Sequence, residues 1–431
     1  MGGGSGRAGE RNEGGPGDDP VPPLVAHLFR RSAGRLVASL TAVFGPHRLD
    51  LAEEVVQDAL LKALQVWPFQ GVPGEPEAWI YRVARNRALD VLRREGRNVE
   101  EATDLAALEK VVGLPGQPPG ATDDELSMIF MCCHPSLPFE ARVALTLRTV
   151  GGLSTDEIAR AFLTSRATVQ QRIVRAKRAI GEGGVPIEVP GGAERTRRLE
   201  SVMAVAYLLF NEGYATTQGE NLVRSELCGE AIRLTRLLAR HPATSGPDVD
   251  ALLALMLLQA SRLPARSSPG GELVLLRDQD RALWDRGLVA EGLARMTRAM
   301  EAPRLTRYHV EAGIAATHAA APSWEGTPWD RIVDQYDLLM ELAPSPVVAV
   351  NRAVAVAMAG DVDGALVALD RVDPSDLGDY YLLPATRGRL LGMAGRRSEA
   401  VVEYRRALLA CRSEPVRRLI LTRIDALEDS R

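Results

Sequence analysis

Cysteine, aromatic side chains and long apolar runs are all scarce in this chain. Four cysteines in 431 residues (Cys132, Cys133, Cys228 and Cys411) are too few and too scattered for a disulfide framework, which points to a reducing compartment. Aromatic residues make up 5% of the chain while hydrophobic residues reach 46%, with Ala, Leu, Val and Arg recurring throughout. That is the composition of helices packed on helices and excludes a β-sandwich, so the expected fold class is all-α. No apolar run reaches the about 18 residues of a membrane-crossing helix, and residues 1–20 lack the apolar core of a signal peptide, so the expectation is a cytoplasmic protein with no membrane contact. Any general excess of basic charge is also missing: the net charge of -4 excludes polyanion binding by bulk attraction and confines a nucleic-acid surface to local segments.

Chemistry-bearing motifs are equally sparse. Asp278 and Asp280 have neither a nucleophile motif nor a histidine beside them, and no Gly-rich loop of the phosphate-cradling type is present. Cys132-Cys133-His134 has no second ligand pair at zinc spacing. The expectation is therefore a protein that is not an enzyme and holds no metal or other cofactor.

What is present is helical periodicity broken by Gly and Pro. At about 100 to 200 residues per domain, this length implies two to four units. Residues 1–20 read as a Gly-rich tail. Three helices over Leu24–Phe44, Leu51–Trp67 and Pro76–Arg94, with breaks at Gly45-Pro46 and from Pro68 to Gly74, form a first domain at 21–97. Residues 98–121, with Gly113, Gly116, Pro118, Pro119 and Gly120, read as a linker. A second helical domain spans 122–182, and helix follows helix from 193 to 431. In that last part Met358-Ala359-Gly360 recurs as Met393-Ala394-Gly395, and the same offset of 35 carries Ala365 onto Ala400. This is close to the roughly 34-residue period of tetratricopeptide helix pairs and predicts a helical-repeat module.

Basic charge gathers in two places. Arg82, Arg85, Arg87, Arg93, Arg94 and Arg97 crowd one helix, on which Arg82, Arg85 and Asn86 share a face at i, i+3 and i+4. Arginines neutralise phosphates, an amide reads exposed base edges, and Trp79 or Tyr81 could stack on an unpaired base, a mixture suited to opened single-stranded DNA. The second place begins at Leu153-Ser154-Thr155-Asp156-Glu157, a helix start with Ser154 as N-cap and Glu157 completing a capping box. A turn at Leu163-Thr164-Ser165 and a helix from Arg166 to Ala179 complete a helix-turn-helix pattern. Thr168, Gln170, Gln171 and Arg172 are its candidates for base edges and nearby phosphates; Arg166 stands at the helix start, and Arg175, Lys177 and Arg178 suit phosphate alone.

Ala52-Glu53-Glu54-Val55-Val56-Gln57-Asp58-Ala59-Leu60, followed by Ala78-Trp79-Ile80-Tyr81-Arg82-Val83-Ala84-Arg85-Asn86 and Asp90, resembles region 2 of extracytoplasmic-function (ECF) sigma factors of bacterial RNA polymerase. Residues 123–180 resemble region 4 of the same family. The resemblance implies that Glu53, Glu54, Gln57 and Asp58 dock on core RNA polymerase. It implies that Trp79, Arg82, Arg85, Asn86 and Asp90 face the melted upstream promoter element, and that the loop from Phe69 to Glu75 holds a flipped base. It also implies that the helix-turn-helix residues Arg166, Thr168, Gln170, Gln171, Arg172, Arg175 and Lys177 bind promoter DNA as duplex. Cys132-Cys133-His134-Pro135, Phe210-Asn211-Glu212-Gly213-Tyr214, Arg277-Asp278-Gln279-Asp280-Arg281 with Trp284, and the stretch from Pro344 to Ala353 resemble a subgroup with a tetratricopeptide-like C-terminal extension. For that extension the expectation is regulation in cis, through contact between the repeat and sigma domains. A stand-alone helix-turn-helix regulator with a repeat-type sensor is the alternative.

Overall fold

A computed structural model describes residues 21–96, 121–162, 164–214, 225–268, 270, 272–373 and 381–429. The tail expected at 1–20 and all but the last residue of the expected 98–121 linker lie outside the described residues. Those residues form eighteen α-helices and, among them, no strand beyond an isolated bridge between Ser267 and Leu273. None of these helices is long and apolar enough to cross a membrane. The chain divides into two compact units, Met1–Ile158 with Val169–Val189, and Ala159–Thr168 with Pro190–Arg431.

In the first unit, α1 (Val21–Phe44), α2 (Leu49–Gln70) and α3 (Pro76–Gly96) are followed by α4 (Ala121–Cys132) and α5 (Phe139–Thr149); α6 (Thr155–Ala161) and α7 (Arg166–Glu182) belong to it only outside Ala159–Thr168, which is grouped with the second unit. Helix α1 packs on α2 and α4, and α2 on α3. Apolar residues at helical spacing supply the core: Leu36, Val37 and Leu40 from α1, Val55, Val56 and Leu60 from α2, and Ile80, Ala84 and Ala88 from α3. Helix α2 departs from expectation by running through Pro68 to Gln70. So near the C-terminal end the missing proline N–H costs one ladder bond only. The helix closes instead at Gly71, whose φ of +81° a side chain would strain and whose N–H reaches the Trp67 carbonyl at 2.9 Å.

Gly34 of α1 is a point of close backbone approach, since a Cβ there would fall 2.3 Å from the Val150 carbonyl oxygen just past α5. Ser39 donates to Asp124 at 2.9 Å across the α1–α4 contact. Cys132 and Cys133 are fully buried at the end of α4, and the Cys133 thiol lies 3.4 Å from the Thr146 hydroxyl.

The second unit carries α8 (Gly192–Tyr214), α9 (Ser225–Arg240), α10 (Pro247–Ala260), α11 (Arg286–Ala299), α12 (Arg307–Ala320) and α13 (Trp329–Leu342). After them come α14 (Pro346–Met358), α15 (Val362–Asp370), α16 (Leu382–Met393), α17 (Arg397–Ala410) and α18 (Glu414–Asp429). Helix α10 is apolar on all sides, buries nearly every residue from Val249 to Leu258, and packs against α9, α11 and α12. The two copies of Met-Ala-Gly are structurally equivalent. Gly360 ends α14 at a φ of +111° and Gly395 ends α16 at +76°, and the next helix in each case buries its alanine completely, Ala365 in α15 and Ala400 in α17.

Candidate nucleic-acid interface

Helix α3 divides its sequence between two environments. Ile80, Tyr81, Ala84, Ala88, Leu89 and Leu92 are buried, while Arg82, Asn86, Asp90 and Arg93 form an exposed stripe along the opposite side and Arg85 is half-buried beside it. The start of α3 is anchored from α1: Glu77 accepts from the Ser32 hydroxyl at 2.5 Å and from Arg35 at 2.9 Å. Trp79 is half-buried and meets the buried Trp67 ring edge-on, the centroids 5.4 Å apart. Tyr81 is only 2% exposed, which corrects the expectation that it could stack on a base. Its ring belongs to the core, and burial pushes its phenol above its ordinary pKa, with Arg85 drawing it partly back.

The loop expected to begin at Phe69 begins at Gly71, because α2 extends further than its sequence suggested. Phe69 on the last turn of α2 is 89% exposed, a large cost for a phenylalanine with no packing partner.

The four acidic and amide residues of α2 do not share one environment. Glu54 and Gln57 are exposed, whereas Asp58 lies 3.5 Å from Arg87 of α3. Glu53 is drawn in: one carboxylate oxygen accepts from the Thr149 hydroxyl at 3.0 Å and the other from Lys177 at 2.9 Å. Lys177 also donates to Asp50 at 2.6 Å. Burial alone would lower the lysine pKa, but the adjacent Glu53 and Asp50 carboxylates outweigh it and raise the value. Two candidates read from separate motifs thus hold each other, and Asp50 and Thr149, to which no motif pointed, complete the cluster.

The capping box at the start of α6 is formed as its sequence implies. Glu157 N–H donates to the Ser154 hydroxyl oxygen at 3.1 Å, and Ser154 N–H to the Glu157 carboxylate at 2.7 Å. Ser165, a turn residue by its sequence pattern, accepts from Thr168 N–H at 3.0 Å and so caps α7. Thr168 is half-buried against this cap, its hydroxyl 2.8 Å from that of Ser165. Val169, Ile173, Ala176 and Ile180 form the buried stripe of α7 at i, i+4, i+7 and i+11. Arg166, Gln170, Gln171 and Arg175 are exposed, Arg172 is half-buried, and Arg178 pairs with Glu182 at 2.7 Å. Amides and guanidinium groups therefore occupy the exposed face of a helix whose other side is buried.

Residues 28–98 match the family described as Sigma-70 region 2, and residues 127–180 the family described as Sigma-70, region 4. Residues 198–300 match a family of unknown function (DUF6596). The chain is 43% identical over 368 residues to an uncharacterized protein of Rhizobium meliloti, covering 84% of this chain and 86% of that protein. It is 32% identical over 161 residues to the ECF RNA polymerase sigma-E factor of Escherichia coli (strain K12), covering 35% of this chain and 82% of that factor. It is 30% identical over 169 residues to the ECF RNA polymerase sigma factor SigE of Mycolicibacterium smegmatis, 38% of this chain and 63% of that factor.

Proposed function

The chain belongs to the family of extracytoplasmic-function RNA polymerase sigma factors, and from that premise we propose that it joins core RNA polymerase, recognises a two-part promoter and holds the melted strand during initiation. Polymerase is engaged by α2 through Glu54, Gln57 and Asp58, with Glu53 joining when Lys177 releases it. The melted upstream element lies along α3, on Trp79, Arg82, Arg85, Asn86 and Asp90, with the exposed Phe69 and the loop at 71–75 receiving an extruded base. Helix α7 enters a major groove: Gln170 and Gln171 suit adenine edges, Arg166, Thr168 and Arg172 reach bases or nearby phosphates, and Arg175 and Lys177 phosphate alone.

The observation that carries this reading is the exposed Arg82, Asn86 and Asp90 stripe of α3, whose other side is fixed in the core. A merely solvated helix has no need of an amide between arginines. Mixing the purified chain with core RNA polymerase and following co-elution on size exclusion tests it, beside a variant with Glu54, Gln57 and Asp58 changed to Ala. Co-elution by the parent and its loss in the variant is the expected result. Failure of the parent to co-elute, even with residues 193–431 removed, would leave a stand-alone DNA-binding regulator.

The helices from 193 onward, a tetratricopeptide-like extension in this reading, regulate the sigma segment in cis. Its support is the 43% identity to the R. meliloti protein over 84% of this chain, far beyond the length of the sigma segment. Transcription in vitro by a chain lacking 193–431 should differ in activity or promoter choice from the full chain; identical behaviour would remove the regulatory role.

A further inference from the structure

Two of the signature segments read from the sequence, Phe210 to Tyr214 and Arg277 to Trp284, are not used by any of the DNA- or polymerase-facing surfaces. In the second unit they meet around three arginines. Tyr214 ends α8 with its ring stacked on Phe210, the centroids 5.7 Å apart. Arg262, just past α10, is 9% exposed and donates to the Tyr214 hydroxyl at 2.8 Å and to the Gln259 amide oxygen. Arg266 lies over the Tyr214 ring, 3.9 Å from its centroid. Arg281 lies 4.8 Å from the centroid of the buried Trp284 and donates to the carbonyls of His318, at 2.8 Å, and Ala321. A backbone hydrogen bond of 2.9 Å from Asp285 N–H to the Ser261 carbonyl ties the two arginine-bearing segments together.

Among the described residues none of Arg262, Arg266 and Arg281 forms an ion pair, yet each keeps a buried nitrogen with no hydrogen-bond partner: Arg262 Nε, Arg266 Nε and Arg281 Nη2. The Trp284 indole N–H and His318 Nδ1 are buried and unpartnered as well. The acids close in sequence are engaged elsewhere: Asp278 pairs with Arg277, Asp280 caps the turn at Ala282, and Asp285 caps α11 at Leu288. Glu325 acts on Arg281 from a distance without pairing. Burial and Arg262 lower the Arg281 pKa, and burial with Arg262 and Arg281 pushes His318 down to about 3, so the histidine stays neutral and relieves nothing. Arg262 is buried and Arg266 and Arg281 are half-buried, so their charges are only partly solvated, and their planar forks match the two oxygens of a phosphate or carboxylate.

We propose that Arg262, Arg266 and Arg281, walled by Tyr214 and Trp284, form a binding site for a small anion of the phosphate or carboxylate class. The indole N–H of Trp284 would add a neutral donor. The site makes the C-terminal unit a receptor for an acidic metabolite, independently of how the sigma segment meets DNA.

Isothermal titration of the full-length chain with inorganic phosphate, and separately with citrate, at ionic strength matched by sodium chloride tests this and tells phosphate from carboxylate preference. Saturable binding at one site per chain is expected for at least one anion. It should weaken about ten-fold or more in Arg266→Gln and Arg281→Gln, and persist in Arg277→Gln and in a chain with Arg82, Arg172 and Arg175 changed to Gln. Circular dichroism checks that each variant is folded; should Arg281→Gln fail, the half-exposed Arg266 supplies the deciding variant. Heats indistinguishable from the sodium chloride blank for both anions, or equal binding by Arg266→Gln, would overturn the proposal.

Discussion

Lys177 of α7 and Glu53 of α2 stand 2.9 Å apart, 13% and 14% exposed, with Asp50 on the lysine and Thr149 on the glutamate. One is a candidate for DNA and the other for polymerase, and in this arrangement each is the other's partner.

Lys177→Met leaves the Glu53 carboxylate with the Thr149 hydroxyl alone, and should lower stability by about 2 kcal/mol in urea denaturation. The folded-state pKa of Lys177 is raised above its ordinary 10.5. Its contribution is therefore complete below that value and is lost only as pH rises through the higher folded one. Parent and variant should differ equally at pH 6 and pH 9 and converge in stronger alkali; a difference that already shrinks between pH 6 and pH 9 would contradict the pairing.

Gly34→Ala is expected to reverse the usual rule for a helix interior, where alanine gains up to about 1 kcal/mol over glycine. The new Cβ would meet the Val150 carbonyl, a backbone atom that cannot swing aside, and the cost should be about 1–3 kcal/mol, read as a lowered Tm. An unchanged or raised Tm would show that the α1 contact with Val150 is loose.

On DNA, Asn86→Ala should reduce transcription from a promoter several-fold while leaving binding to pre-melted templates of other sequence nearly unchanged. Arg175→Gln should instead weaken binding to all duplexes alike and lower the salt dependence by about one counterion, measured by titration across sodium chloride concentrations. Tyr81→Phe, by contrast, should leave the affinity for single-stranded DNA unaltered, since the ring is in the core.

His318 gives the second unit an acid limit. Its folded pKa of about 3 lies below the ordinary 6.5, so the unfolded chain takes up a proton that the folded one refuses. Stability should fall as pH drops below about 6.5 toward 3, by on the order of 2–4 kcal/mol at the lower end, and His318→Gln should flatten that decline.

Much of this architecture was legible because it depends on near neighbours in sequence. The capping box at Ser154 and Glu157 spans three residues, the α3 stripe follows helical spacing, and the Gly360 and Gly395 turns announce themselves as a repeated tripeptide. For Tyr81 the sequence left two readings open, a base-stacking ring beside Trp79 or a core residue, and only the packing of α3 decides for the core. Nor could the sequence show that Lys177 closes on a carboxylate 124 residues away, or that Arg262, Arg266 and Arg281 share one place. Such pairings arise only when distant helices pack, and a charge carries no label for its partner.

Helices α13 to α18 pack chiefly on the next helix along, as links in a row rather than spokes around a hub. Such a row opens link by link rather than all at once: amide exchange in α13 to α18 should report several separate opening free energies, whereas α10, buried on all sides, should exchange slowest.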